Sequence, residues 1–215
     1  MASKQQNKIV RLILATLVLL FVLVILPLGS WYYLRNGLNY RVTTMSELNN
    51  YGKLPDFSYN TVVNTQVQTA DLQGKVAVAN VLDLKNEALS ATWGTMLEKL
   101  HDQFNERNDV RFLIYVTDTA RTTIESFTTK YKLQDYEQCY FIPADADVIK
   151  KLPLDHHIGA DSLLTHLTLV DTKGMVRKHY NVQDQAQVKR LVEHMALLLP
   201  LQKREEISLQ REPEK

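Results

Sequence analysis

The chain of 215 residues contains a single cysteine, Cys139. One cysteine cannot form an intrachain disulfide or a cysteine-based metal cluster, and it has no resolving partner for thiol–disulfide exchange. Cys139 lies in the apolar and aromatic run of residues 139–142, which favours a buried residue over a reactive thiol. A peroxidase or reductase would depend on this cysteine alone, so it is the least favoured class of function.

An excess of charge of one sign is also lacking. The 25 Lys and Arg residues nearly cancel the 24 Asp and Glu residues, which does not suggest a nucleic-acid partner. The sequence has no phosphate-binding loop and no serine in a nucleophile elbow. Asp83, Lys85 and Glu87 cluster in one loop, but such clusters usually form solvated surface. We therefore expect no catalytic site and no bound cofactor, and we interpret the protein as not being an enzyme.

A long uncharged run, residues 12–34, stands near the N-terminus. As a helix it would extend roughly 34 Å, enough to cross the hydrocarbon core of a bilayer. It is longer than the apolar region of a cleaved signal peptide. A lipoprotein would need a cysteine near the end of the run, and the sequence has none there. Basic residues precede the run and aromatic residues end it, namely Lys4, Lys8, Arg11, Trp31, Tyr32 and Tyr33. This pattern predicts an uncleaved signal-anchor in the inner (cytoplasmic) membrane, with the following domain facing the periplasm.

Changes of composition divide the chain into five parts. We expect a cytoplasmic N-terminus at residues 1–11, the transmembrane helix at 12–34 and a juxtamembrane linker at 35–53. The linker is polar, with predicted turns at Asn36-Gly37 and Asn49-Asn50. A folded domain then occupies residues 54–200, and the charged tail at 201–215 is predicted to be disordered.

Apolar strands alternate with amphipathic helices within residues 54–200. The pattern predicts a hairpin over 61–68 with its turn near Asn64, and strands at 76–82, 110–116, 139–142, 167–170 and 175–180. It also predicts helices at 88–107, 120–132, 146–152 and 184–199. This order of elements predicts an α/β fold, a three-layer sandwich with a central mixed sheet.

Several short segments, taken in order, resemble one family. They are residues 54–58 (LPDFS), 71–76 (DLQGKV), 109–113 (DVRFL), the turn at Asp118, 169–177 (LVDTKGMVR) with Tyr180, and 188–191 (VKRL). Their order and spacing are similar to those of the Sco/SenC family of membrane-anchored, thioredoxin-like proteins that help to assemble the copper centre of cytochrome c oxidase. The resemblance covers about residues 54–199. It implies a thioredoxin-like fold and a membrane protein partner, such as a respiratory oxidase or its assembly factors.

The residues that would bind copper are changed. The family holds the metal with a C-x-x-x-C pair after the first central strand and a histidine before the Leu-Val-Asp strand. Counted without gaps, these positions fall on Asn86, Ser90 and Leu163. Amide, hydroxyl and isobutyl groups cannot replace two thiolates and an imidazole as ligands of Cu(I). The resemblance thus implies a divergent member without the copper site. The family's S-V-D-P-x-x-D turn is altered too, and only Asp118 and Arg121 remain in this region.

Histidines could serve as metal ligands in place of the missing family residues. His156 and His157 follow one another upstream of the Leu163 position, and His166 lies on the next predicted strand. Adjacent histidines rarely chelate one ion together, so we expect a surface loop, whereas a metal site for copper or zinc is the competing hypothesis. We expect the side chains of His101, His179 and His194 to be exposed. Two functions compete: a non-catalytic module that acts through protein–protein interaction, and a residual metal-binding protein.

Overall fold

The computed structural model describes residues 2–117 and 120–200, and it divides into two compact units, residues 1–47 and residues 48 onward. The predicted turn at Asp118 and Thr119 and the predicted tail at 201–215 lie outside the described residues. The first unit is helical from α1 (Ala2–Leu20) through a short π-helical segment (Phe21–Ile25) to α2 (Leu26–Ser46). One stretch in it, Val10–Ser46, is long and apolar enough to cross a membrane, with a mean hydropathy of 3.0 in its most apolar window.

The π-helical segment has a local cause. Pro27 lies in the first turn of α2 and has no backbone N–H to donate to the preceding turn. Its ring also crowds the carbonyl group four residues earlier, which is that of Leu23. A wider π-type turn at this place relieves that crowding without ending the helix.

The helix continues past the predicted span, which corrects one expectation. We predicted a turn at Asn36-Gly37, but both residues lie inside α2. Asparagine and glycine have low intrinsic helix propensity, yet the cost of about 1 kcal/mol at a glycine does not end a helix that is already nucleated. The polar residues after position 35 therefore do not mark irregular backbone, because the chain stays helical as far as Ser46.

The second unit is built on a six-stranded mixed sheet with strand order β1-β8-β7-β4-β5-β6. Its strands are β1 (Gly52–Lys53), β4 (Val76–Leu82), β5 (Val110–Val116), β6 (Cys139–Pro143), β7 (His166–Val170) and β8 (Met175–Asn181). Strands β4, β5 and β6 run parallel, whereas β7 is antiparallel to both β4 and β8, and β1 is antiparallel to β8. The predicted strands are thus confirmed to within one residue at each end.

A small antiparallel hairpin precedes the sheet. It joins β2 (Ser58–Asn60) to β3 (Gln66–Gln68), and Asn64 in its turn has φ 61°, the left-handed conformation that asparagine tolerates. The hairpin predicted around Asn64 is confirmed. The loop between its strands reaches the edge of the main sheet, where the backbone N–H of Val62 donates to the carbonyl of Phe141 in β6 at 2.9 Å.

Helices cover both faces of the sheet, as the prediction of three layers requires. Alternate side chains of β4 belong to two separate cores, because successive residues of a strand point to opposite faces. The first face carries α3 (Glu87–Phe104), α4 (Arg121–Lys130) and α6 (Gln185–Leu198). The second carries α5 (Ala146–Asp155) and the hairpin. Trp93 of α3 is fully buried at the centre of the first core.

Candidate functional site

The loop after β4 holds two of the three positions at which the resembling family has copper ligands. Asn86 is the N-cap of α3, and its side-chain oxygen accepts a hydrogen bond from the backbone N–H of Leu89 at 3.1 Å. Ser90 lies one helical turn later and is buried. An N-cap asparagine satisfies one of the free N–H groups that begin every helix. Asn86 therefore has a structural role that explains the residue without any ligand.

Charged residues of this loop also serve the backbone. Asp83 accepts hydrogen bonds from the backbone N–H of Lys85 at 3.1 Å and from the Thr117 hydroxyl at 3.2 Å. These bonds fix the turn between β4 and α3. Lys85 and Glu87 are exposed, as expected for solvated surface.

The third position lies in the loop before β7. Leu163 ends a short 3-10 helix (Ala160–Ser162) and packs against the core of the second face, where α5 lies. Its neighbour Leu164 is linked to α3 on the first face of the sheet, because the indole N–H of Trp93 donates to the Leu164 carbonyl at 2.9 Å. The fold therefore brings this loop against α3. The side chain at position 163, however, is a partly buried apolar group that packs against the core of the other face.

The three histidines considered as alternative ligands do not share one arrangement. His156 is buried, with 4% of its surface exposed, so the prediction of a surface loop was wrong for this residue. His157 is exposed, with φ 51°, and packs near Gly52. The Nδ1 atom of His166 is 3.0 Å from the Thr165 hydroxyl and 3.2 Å from the Ser162 carbonyl. Within residues 2–117 and 120–200, no group of three or more His, Cys, Asp or Glu side chains is placed to hold a metal ion.

His156 has an apolar environment that determines its protonation. Burial, followed by the nearby His179 and His157, lowers the pKa of His156 to about 4, so the ring is neutral near pH 7. The ring lies edge-on to Tyr115, with 5.6 Å between the centroids. Its Nδ1 atom is buried and has no hydrogen-bond partner among the described residues.

Three further histidines contradict the expected exposure. His179 is half-buried, and its Nε2–H donates to the His156 carbonyl at 2.9 Å. His194 is fully buried, with its Nδ1 2.6 Å from the hydroxyl oxygen of Tyr180. The sequence signal for burial is present in both cases, since each lies next to core positions of β8 or α6. His101 is also half-buried, at 3.3 Å from Asp135.

The single cysteine lies in the core of the first face. Cys139 has 1% of its surface exposed, and burial, with a smaller contribution from Asp135, raises the pKa of its thiol far above the ordinary value. The nucleophile in thiol chemistry is the thiolate. A thiol that stays protonated and inaccessible agrees with the prediction that Cys139 is a packing residue.

Sequence reasoning missed one buried polar side chain. Asn80 lies in the middle of β4, and neither its amide nitrogen nor its amide oxygen has a hydrogen-bond partner in the described part of the chain. The alternation along β4 places this amide on the face covered by α3. The only signal in the sequence was one polar residue in an otherwise apolar run.

Comparison with known proteins identifies the fold. The structure is similar to BsSco, a member of the Sco family of cytochrome c oxidase assembly proteins, with a TM-score of 0.58 and 17% sequence identity over 72% of this chain and 97% of that chain. It is also similar to a Sco/SenC family lipoprotein from Bacillus anthracis, with a TM-score of 0.55 and 19% identity over 70% and 96% of the two chains.

A third likeness is to the thioredoxin domain of a thiol-disulfide oxidoreductase from Bacteroides vulgatus, with a TM-score of 0.50 and 15% identity over 68% of this chain and 97% of that domain. No protein-family model matches the sequence, and no curated protein is significantly similar to it. At these identities the likenesses show the fold, which is thioredoxin-like as the resemblance implied.

Proposed function

We propose that this protein is a membrane-anchored, non-catalytic relative of the cytochrome c oxidase assembly factors, and that it acts by protein–protein interaction. Two observations support the proposal. The fold is shared with Sco-family proteins, one of which, BsSco, belongs to the Sco family of cytochrome c oxidase assembly proteins. The N-terminal helix is long and apolar enough to anchor the chain in a membrane. The partner would be a respiratory oxidase or one of its assembly factors.

One observation carries the non-catalytic part of the proposal: all three family ligand positions are occupied by residues with structural roles. Asn86 caps α3, Ser90 is buried in the same helix, and the partly buried Leu163 packs against the core of the opposite face. None of these groups can act as a soft ligand of Cu(I). The remaining thiol, Cys139, is buried, so the same fold would present a surface without copper or redox chemistry.

The proposed location is the outer face of the inner membrane. Basic residues lie before the apolar helix and the aromatic residues Trp31 to Tyr33 lie at its far end, which favours an N-terminus in the cytoplasm. The domain would then face the periplasm, where an oxidase exposes its outer surface. Fusion of a reporter enzyme to the C-terminus of the full chain tests this orientation, because alkaline phosphatase is active only outside the cytoplasm.

Purification of the intact, tagged protein in a mild detergent tests the partner. We expect oxidase subunits or assembly factors to be recovered with the full chain but not with residues 1–53 alone, which contain the anchor. Recovery of the same proteins with the anchor alone would contradict an interaction through the domain. Recovery of no respiratory component with the full chain would contradict the proposed partner.

A second candidate function is residual metal binding, favoured by the fact that His156 and His166 line the same small cavity. Titration of the intact protein with Cu(II) and with Zn(II) separates the two functions. Under our proposal binding is weak and unchanged in the double variant His156→Gln, His166→Gln. Stoichiometric, tight binding that this variant loses would instead establish the metal-binding function.

A further inference from the structure

The ladder between β4 and β7 stops short of the ends of these strands. Its last pair is Ala79 with Thr168, and continuing the register by two residues would pair Val81 with His166. Both residues lie within their strands, but they are not paired with each other. The two central strands thus diverge at the end of the sheet where β4 leads into the loop before α3.

The backbone of Val81 faces this gap. The N–H of Val76 donates to the Asp109 carbonyl at 2.8 Å, and the carbonyl of Leu82 accepts from the N–H of Thr117 at 3.1 Å. Both bonds join β4 to β5, so the even-numbered residues of β4 direct their backbone groups toward β5. The odd-numbered residues direct theirs toward β7, because backbone groups alternate in direction along a strand. The N–H and C=O of Val81 therefore point to where β7 has moved away.

A small cavity occupies the same place. Its volume is about 10 Å³, and its lining includes Val81, Tyr115, His156, Leu163, His166 and Thr168. That volume is close to the minimum that one water molecule requires. His156 contributes a ring whose buried Nδ1 has no partner among the described residues.

We propose that this cavity is a binding site for one water molecule, which bridges the backbone of Val81 in β4 to Nδ1 of His156 at the end of α5. The water would donate one hydrogen bond to Nδ1 of His156 and form a second with the backbone of Val81, which lies just beyond the paired part of the ladder. Buried waters in proteins typically make about three such bonds to groups that are otherwise unpaired. A cation is disfavoured in this position because its burial beside a neutral, largely apolar wall carries a large desolvation cost.

The ring of His156 is suited to this role. Its lowered pKa, which arises mainly from burial, keeps it neutral near pH 7, so one ring nitrogen is available as an acceptor. The Nδ1 atom of His166, in contrast, is already within hydrogen-bond distance of the Ser162 carbonyl and the Thr165 hydroxyl. The site therefore links the central strand to α5 without requiring a direct contact between them.

Water-to-amide cross-relaxation in the isotope-labelled full chain tests the proposal. We expect the amide proton of Val81 to show a cross-peak to water with the sign of a long-lived bound molecule in both laboratory-frame and rotating-frame spectra. Absence of that cross-peak in the native protein would mean a dry cavity and would overturn the proposal.

A matched pair of substitutions locates the water. Ala79→Val adds two methyl groups beside the cavity and should abolish the cross-peak, whereas Ala77→Val changes the same face of the same strand away from it and should preserve it. A cross-peak that survives Ala79→Val would place the water elsewhere and contradict the proposal. If either variant fails to fold, the 15N chemical shift of His156 Nδ1 in the native protein decides: an unprotonated nitrogen shifted by an accepted hydrogen bond supports the proposal, whereas the value of a free acceptor or of a protonated nitrogen overturns it.

Discussion

The indole N–H of Trp93 and the carbonyl oxygen of Leu164 are joined by a hydrogen bond of 2.9 Å that ties α3 to the loop before β7. Trp93 is fully buried. We expect Trp93→Phe to lower the free energy of unfolding by about 1–3 kcal/mol, because the part-buried hydrogen bond to the Leu164 carbonyl is lost together with part of the buried ring. Chemical unfolding of the intact protein in detergent measures this change. Faster amide exchange at Thr165, with no change at Leu113 in β5, would distinguish loss of this link from general loosening.

Gly94 should not tolerate even a methyl group. A Cβ at this position would overlap the ring of Tyr131, which packs directly on the helix. Gly to Ala within a helix normally stabilises by about 1 kcal/mol, but here steric overlap reverses the sign and we expect a lower melting temperature. In the double variant Gly94→Ala, Tyr131→Ala the overlap is removed, so the additional effect of Gly94→Ala should become stabilising. A single variant more stable than the native chain would contradict this packing.

Asn80→Leu should stabilise the protein. The Asn80 amide is buried with both polar atoms unpaired among the described residues, so an apolar group of the same shape avoids a desolvation cost of about 1–3 kcal/mol. Asn80→Asp is the matched control of equal size, and it should destabilise strongly because it buries a charge. Thermal unfolding of both variants measures the difference. A loss of stability in Asn80→Leu would show that the amide has a partner, in the protein or bound to it.

The stability of the domain should fall as the pH decreases from about 6.5 to about 4. Burial lowers the pKa of His156 to about 4 in the folded state, whereas the unfolded chain titrates near 6.5. The unfolded state therefore binds more protons in this window, and His156 contributes on the order of 3 kcal/mol that is present above pH 6.5 and lost toward pH 4. The lowered pKa of His179 acts in the same direction.

Unfolding curves at several pH values measure this dependence. We expect His156→Gln to flatten it, and His157→Asn to change it much less, because His157 makes the smallest of the three contributions that lower the pKa of His156. A pH dependence that is identical in the native chain and in His156→Gln would contradict the assignment to His156.

Cys139 should resist alkylation in the folded protein. Its thiol is buried and its pKa is raised by burial, so the reactive thiolate is not formed at pH 8. We expect a thiol reagent to label the native protein slowly, and to label it with one equivalent once denaturant is added. Rapid labelling of the native chain would contradict both the burial of Cys139 and a role without thiol chemistry.

The fold could be predicted from the sequence where periodicity and length agree. The strands at residues 76–82 and 110–116 are continuous apolar runs, and the stripe that includes Trp93 and Leu97 repeats at helical spacing. The continuation of the helix through Asn36 and Gly37 could not be predicted in this way, because it depends on propagation from an already formed helix.

Residues at the candidate site were harder to predict, because their roles depend on contacts between distant segments. Asn86 could be excluded as a ligand from its side-chain chemistry alone, but its function as an N-cap required the start of α3. The burial of His156 arises from α5, Tyr115 and the neighbouring strands together, and adjacent histidines in a sequence do not reveal it. Side-chain type predicts what chemistry is absent more readily than it predicts what each residue contacts.

The hydrogen bond from Val62 to Phe141 limits how a partner can attach. A sheet with an open outer strand can recruit an extended peptide as an additional strand. At β6 the hairpin loop already occupies part of this position, and on the other side β1 is only two residues long. Strand addition at β6 is therefore hindered, as in proteins that avoid edge-to-edge association, whereas β1 pairs with β8 only at Met175 and Val176. On the β6 side, a partner of this domain would have to recognise side chains of the helices and loops instead of a free strand edge.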